Sequence, residues 1–183
     1  RAHWTGEAGD PATARDLHAA LVTDRTRILG PHHEDTLISR NEHAYWTGEA
    51  GDAATARDLH AALLTDRTRI LGPHHQHTLI SRNNLAHWTG EAGDPATARD
   101  LHAALLTDRT RILGPDHKDT LTSRHKHANW TGEAGDAATA RDLHAALLTD
   151  RTRILGPDHE HTLTSRLEHA RWEDEAGNPP MVD

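Results

Sequence analysis

Small and apolar residues recur along this chain at spacings of three, four and seven, without the alternation that marks a strand. Between Asp52 and Gly72, for example, Ala56, Leu59, Leu63 and Ile70 fall along one side of a helix, with charged and polar residues between them. Gly51, suited to a left-handed helix end, and Asp52, a good N-cap, precede this stripe. Gly72-Pro73 ends it. At ~1.5 Å rise per residue the predicted helix is roughly 28 Å long. A second helix is predicted before it, from about Thr36 to Ala50, so the two are joined by a very short turn. In other copies of the pattern Pro11 and Pro95 follow the capping aspartate, at the first helical position where proline is tolerated.

The pair is a repeating unit. WTGEAGD begins at Trp4, Trp46, Trp88 and Trp130, and the degenerate WEDEAGN at Trp172, always 42 residues apart. LGP returns at Leu29, Leu71, Leu113 and Leu155. The four full copies are identical at most positions. Below, helix A is the one that ends in WTGEA and helix B the one that ends in LG. Neither buries its apolar side alone, so each pair must stack on the next. The predicted organisation is a single repeat domain over 1–183. It has a partial helix A at 1–8, helix pairs at the 42-residue period, a terminal helix A at about 162–176 and a tail at 177–183. Pro180 spoils a fifth helix B. The fold class is all-α, an α-α superhelix of antiparallel pairs, expected to be right-handed. Leu63 and Leu105, on the stripe of helix B, are candidate core residues. HEAT and armadillo arrays, whose period range overlaps, are the alternative.

Composition narrows the function. The net charge of −8 argues against nucleic acid and anionic membrane surfaces. The absence of cysteine removes disulfides and thiolate zinc sites and fits a reducing cytoplasm. No run approaches the ~18 apolar residues of a membrane span. The chain opens mid-pattern and without Met, as a fragment of something longer would.

ATARDLHAALLTDRTRILGPDH and TLTSR, with NNLAHWTGEAGD, resemble the tetratricopeptide repeat in the 42-residue form of kinesin light chains. The wording is closest to long arrays in actinobacterial proteins. The markers are the small Ala86 and Ala98, Gly93-Asp94 between the helices, and GP-x-H-x-x-T-L between repeats. There are departures. The usual period is 34, and Thr89 stands where a tyrosine is usual. His43, His127 and His169 replace a leucine kept only as Leu85, and His102 and its equivalents replace a large aromatic. The resemblance implies a solenoid that binds a protein or peptide along a concave groove lined by helix A. It also implies the sensor or interaction part of a larger cytosolic bacterial signalling protein of the STAND type.

The differences between copies gather on one face of helix A. They are Ile38, Asn41 and Tyr45; Ile80, Asn83 and His87; Thr122, His125 and Asn129; and Thr164, Leu167 and Arg171. A spacing of three then four places each trio on one side. Glu49, Glu91, Glu133 and Glu175 extend each row by four residues. Helix B barely changes. A constant scaffold with a varied reading face is the functional interpretation, and the Glu row favours a basic ligand. Tolerance of drift at exposed positions is the plain one. Differences at His32, His74, Asp116 and Asp158, and at Glu34, Gln76, Lys118 and Glu160, look like ordinary surface variation.

Eighteen histidines are a large excess. His75 and His77, His125 and His127, and His159 and His161 are candidate metal ligands by proximity. No HExxH is present and no dedicated metal site is expected. His33, His75, His117 and His159, once per linker, read as linker or cap residues. His18, His60, His102 and His144 lie beside the stripe of helix B and read as packing residues. If they and His43 or His127 are held neutral, stability falls from around pH 6–6.5 downward. No phosphate loop or nucleophile elbow occurs, and the carboxylates repeat identically, so neither an enzyme nor a cofactor is expected. Self-association through the end faces of the stack and a histidine-rich metal module remain as alternatives.

Overall fold

The computed structural model describes residues 10–177. The predicted partial helix A at 1–8, with Trp4, and residues 178–183 of the predicted tail lie outside the described residues. Eight helices follow one another: α1 (Pro11–Leu29), α2 (Glu34–Glu49), α3 (Ala53–Leu71), α4 (Gln76–Glu91), α5 (Pro95–Leu113), α6 (Lys118–Glu133), α7 (Ala137–Leu155) and α8 (Glu160–Gly177). No strand is present among the described residues. Odd-numbered helices are helix B and even-numbered ones helix A. They form two compact units, one ending at Asp94 with α1–α4, the other beginning at Pro95 with α5–α8. Within each unit every helix packs on its neighbours in the chain.

The turn from A to B needs only two or three residues because one aspartate serves both helices. Asp52 N–H donates to Thr47 O at 3.2 Å and Gly51 N–H to Gly48 O at 2.8 Å, which closes α2 with paired reverse bonds. Gly51 has φ +96°, a conformation that a Cβ would strain. Asp52 Oδ1 then accepts from Thr55 N–H at 3.0 Å and opens α3. The same bonds to backbone and side chain hold the Asp52 carboxyl below its ordinary range.

Helix A begins earlier than predicted, at Glu34 rather than Thr36, and α8 at Glu160 rather than 162. The reason is an imidazole cap. Nδ1 of His33, His75, His117 and His159 accepts from the backbone N–H two residues on, at 3.1–3.2 Å. Gly177, placed in the predicted tail, is the last residue of α8.

The stripe predicted on helix B is displaced. Ala56 and Leu63 are buried, as are Leu105 and Leu147, but the buried face of α3 runs through Ala56, His60, Leu63 and Arg67. Leu59 is half-buried and Ile70 is exposed, so these two form its edge. His60 lies at the centre of that face, not beside it. Apolarity alone picked the wrong edge because every helix B described buries a histidine, and α3, α5 and α7 bury an arginine as well.

Arg67 is 2% exposed and ties three helices together. It donates to Ser81 Oγ at 2.8 Å and His77 O at 3.1 Å, both on α4, and to Leu37 O on α2 at 3.2 Å. Arg151 repeats this with Ser165, His161 and Leu121. The tryptophans interlock with glycines. The Trp88 indole of α4 occupies the space where a Cβ on Gly48 of α2 would sit, and Trp172 of α8 does the same to Gly132 of α6. Trp-Thr-Gly is therefore one packing device, in which the ring of one repeat covers the glycine of the repeat before.

Candidate functional site

In the first unit the varied face of helix A is a real surface. Ile38 and Tyr45 of α2 are 37% and 38% exposed, large apolar side chains left in water. Asn41 is half-buried beside them, as are Ile80, Asn83 and His87 of α4, while Glu49 and Glu91 are exposed at the ends of the rows. The two rows meet. Tyr45 lies edge-on to Trp88, ring centroids 6.2 Å apart, and Asn84 Nδ2 donates to Asn41 Oδ1 at 3.1 Å. Burial, with Glu49 nearby, raises the Tyr45 phenol above its usual value, so it stays a neutral donor. Between the rows lies a cavity of about 220 Å³, lined by Ile38, Asn41, Glu42, Arg67, His77 and Ile80.

In the second unit the corresponding residues are more involved with the protein itself. Asn129 Oδ1 accepts from His144 Nε2 at 2.7 Å, and His125 stands edge-on to His144 at 5.4 Å. Burial, with Arg151 adding repulsion, pushes His125 down to about 3 and His144 to about 4, so both are neutral near pH 7. Arg171 of α8 donates to Glu133 of α6 at 2.8 Å and to Glu175 at 2.9 Å, and lies over the Trp172 ring. Thr122 is exposed, Thr164 is half-buried with its hydroxyl on Glu160 O, and Leu167 is 73% exposed. The structure thus brings His125, Asn129 and His144 together, and Glu133 with Arg171. These contacts link residues that differ between copies to ones that do not, the buried His144 and the exposed Glu133.

The metal candidates pair without converging. His75 and His77 stack at 5.5 Å and His159 lies 5.3 Å from His161, but Nδ1 of His75 and of His159 already caps a helix. Burial lowers His43 and His127 below the ordinary imidazole value. Among the described residues no three His, Cys, Asp or Glu are grouped to hold a metal ion. No helix among them is long and apolar enough to cross a membrane.

Sequence reasoning missed Arg67 and Arg151, which touch these cavities from below. The only clue was an arginine four residues after the buried Leu63 and its equivalent, on the same side of the helix, among other charges near the end of helix B. It also set aside residues 32, 34, 116 and 118, which the structure places around cavities at the start of helix A.

The sequence profile described as tetratricopeptide repeat matches residues 78–119 and 120–161, two consecutive 42-residue units. Residues 78–161 carry two tetratricopeptide repeats. Similar solved structures agree in fold. Nearly identical TPR-like repeats from a Podosopora anserina protein assigned as a kinesin light chain superpose with a TM-score of 0.84 at 22% identity. The match covers 97% of this chain and 84% of that one. A point variant of those repeats gives 0.85 at the same identity and coverage. BtubC (BKLC) from P. vanneervenii gives 0.79 at 16% identity, covering 97% of this chain and 70% of that one. Among curated protein sequences none matches this one.

Proposed function

We propose that these tetratricopeptide repeats bind a protein or peptide along the varied face of helix A and catalyse nothing. The observation that supports this most is the exposure of Ile38, Tyr45 and Leu167, large apolar groups on the one face that differs between copies. A helix pair of this kind presents such a face as a row, and apolar groups beside polar amides suit an extended chain. The exposed Glu49 and Glu91 favour a ligand with basic residues at that edge. The residues proposed as contacts are Ile38, Asn41, Tyr45, Ile80, Asn83 and His87 in the first unit, with Thr122, Thr164, Leu167 and Arg171 in the second. His125 and Asn129 act from beneath, by fixing His144. The resemblance of the repeat wording to actinobacterial arrays supports a place in the sensor or interaction part of a larger cytoplasmic protein of the STAND type.

Peptides selected from a random library on the intact chain test this. Ile38→Asp, Tyr45→Ser and Leu167→Asp should each weaken binding about tenfold or more and leave the melt nearly unchanged. Protection of α3 and α7 faces in hydrogen exchange, with the even helices untouched, would overturn it. The exposure of Leu163 and Leu167 together on α8 favours self-association as a second reading. A sedimentation coefficient that rises with concentration and returns to the monomer value in Leu167→Asp would establish that reading instead.

A further inference from the structure

Two cavities in this chain are one cavity built twice. In the first unit, about 210 Å³ lies between the start of α2, the end of α3 and the start of α4. In the second, about 400 Å³ lies two repeats further on, between α6, α7 and α8. Five lining residues are shared: Leu37, Arg67, Leu71, His75 and His77 in one, Leu121, Arg151, Leu155, His159 and His161 in the other. The rim changes. His32 becomes Asp116, Glu34 becomes Lys118, and Ile38 becomes Thr122. These first two positions are not plain surface variation, because they border a constant pocket.

The constant part has a definite chemistry. Arg67 and Arg151 are 2% and 4% exposed, and each hydrogen bond they make is to a neutral serine hydroxyl or backbone carbonyl. Nε of each is buried and finds no acceptor in the protein. Among the described residues no carboxylate is within ion-pair distance of either arginine, although Glu42, which lines a neighbouring cavity with Arg67, acts on it from further off. A desolvated cation with neutral partners alone is costly, and an anion beside it offsets that cost. The helix cap adds a donor. Because Nδ1 of His75 and of His159 accepts from a backbone amide, the proton of each neutral ring sits on Nε2. Two leucines and a second histidine, His77 or His161, complete the constant lining, and the carboxylates of Glu34 in the first cavity and of Asp116 and Asp119 in the second, the latter beside Lys118, stand in the variable part. One buried positive charge beside two leucines matches a single negative charge on an apolar body, whereas a dianion such as phosphate exceeds it and would meet the carboxylates of the variable part.

We propose that each cavity binds a monocarboxylate with a short aliphatic body, the carboxylate turned toward the arginine and the imidazole Nε2–H, the body against the two leucines. The ligand is a small carboxylic acid or the C-terminal residue of a peptide. The site adjoins the varied face of helix A through Ile38 but stands without it, since none of its constant residues lies on that face.

The test uses the intact chain and 4-methylpentanoate, following the Arg67 and Arg151 Nε–H signals by nitrogen-proton correlation. Both should shift saturably, and 4-methylpentanamide, which lacks the charge, should bind at least about tenfold more weakly. Ile70 lines only the first cavity and is exposed, so Ile70→Trp should fill that cavity without unfolding the chain. It should abolish the Arg67 response and leave that of Arg151. Glu34→Lys, which copies Lys118, should tighten binding at Arg67. Acetyl-Ala-Ala-Leu with a free carboxylate separates the sources. Tighter binding than the free acid assigns the site to a peptide terminus, and weaker binding assigns it to a small acid. No saturable shift, equal binding of the amide, or an Arg67 response that survives Ile70→Trp overturns the proposal. Loss of peptide binding on the helix A row leaves these signals untouched, so the two can fail separately.

Discussion

Gly48 and Gly132 sit inside helices, where alanine is the better helix former by about 1 kcal/mol. The indole of the next repeat decides against alanine. A Cβ on Gly48 would fall among the ring atoms of Trp88, a rigid body already buried with no room to turn. Overpacking of this sort costs about 1–3 kcal/mol, enough to exceed the gain in propensity. Gly48→Ala is therefore expected to lower the melting temperature. Trp88→Phe, with a smaller ring, should recover part of the loss when the two are combined, beyond the sum of the single effects. A Gly48→Ala protein as stable as the parent would mean that ring and glycine are not in contact. The sequence displayed Trp and Gly as markers of the period. It could not show that they meet, because the partners lie a full repeat apart. Gly51 is the opposite case, since its left-handed role follows from its place between two helices, and the structure gives it φ +96°.

Helix positions were legible in the sequence because caps and breakers are local. Gly51-Asp52 and Gly72-Pro73 sit where the sequence placed them. The start of helix A was off by two residues, since an imidazole is an uncommon cap. What the pattern could not give was the depth of polar residues within an element. Arg67 looked like one charge among many near the end of helix B, yet it is more buried than Trp88. Its role makes a prediction for the element. Arg67→Ala leaves Ser81 Oγ and the carbonyls of His77 and Leu37 without their donor, and should cost about 2–4 kcal/mol in urea unfolding. Arg25, its counterpart on α1, is half-exposed and among the described residues bonds Asp35 O and Ser39 Oγ. Arg25→Ala should cost about 1 kcal/mol. Equal costs at the two sites would show that the third helix adds nothing to the clamp. Arg67→Met, which keeps the stem without the charge, should fall between them.

Across the molecule, the period fixed the architecture: identical sequence every 42 residues leaves one way to bury each pair, against the next. The candidate site was half legible. Differences between copies mark a candidate face, but the contacts of Asn129 with His144 and of Arg171 with Glu133 depend on which helices touch. The same burial couples the fold to acid. His60 is fully buried, and neither ring nitrogen has a partner. Burial, with Arg67 and His87 adding repulsion, holds it at about 4, as burial holds His144 at about 4 and His125 at about 3. Each folded value lies below the ordinary 6.5, so the unfolded chain binds the proton more readily. Stability from the neutral rings is complete above pH 6.5, declines as pH falls through the unfolded value, and has been lost near pH 4 for His60 and His144 and near pH 3 for His125. Within that window each histidine contributes up to about 1.4 kcal/mol per pH unit. Asp66 and Asp150, lowered chiefly by hydrogen bonds from Arg40 and Arg124, lose their contribution only as pH falls below the ordinary carboxylate value of 3.8. The two losses therefore overlap only below about pH 4, where His125 alone of the three rings still takes up its proton. The melting temperature should fall steadily from about pH 6.5 to about pH 4, and His60→Leu, which removes one buried ring without emptying its place, should make that fall shallower. A melting temperature level across this window, or a slope unchanged in His60→Leu, would show that the buried imidazoles take up protons without opening the fold.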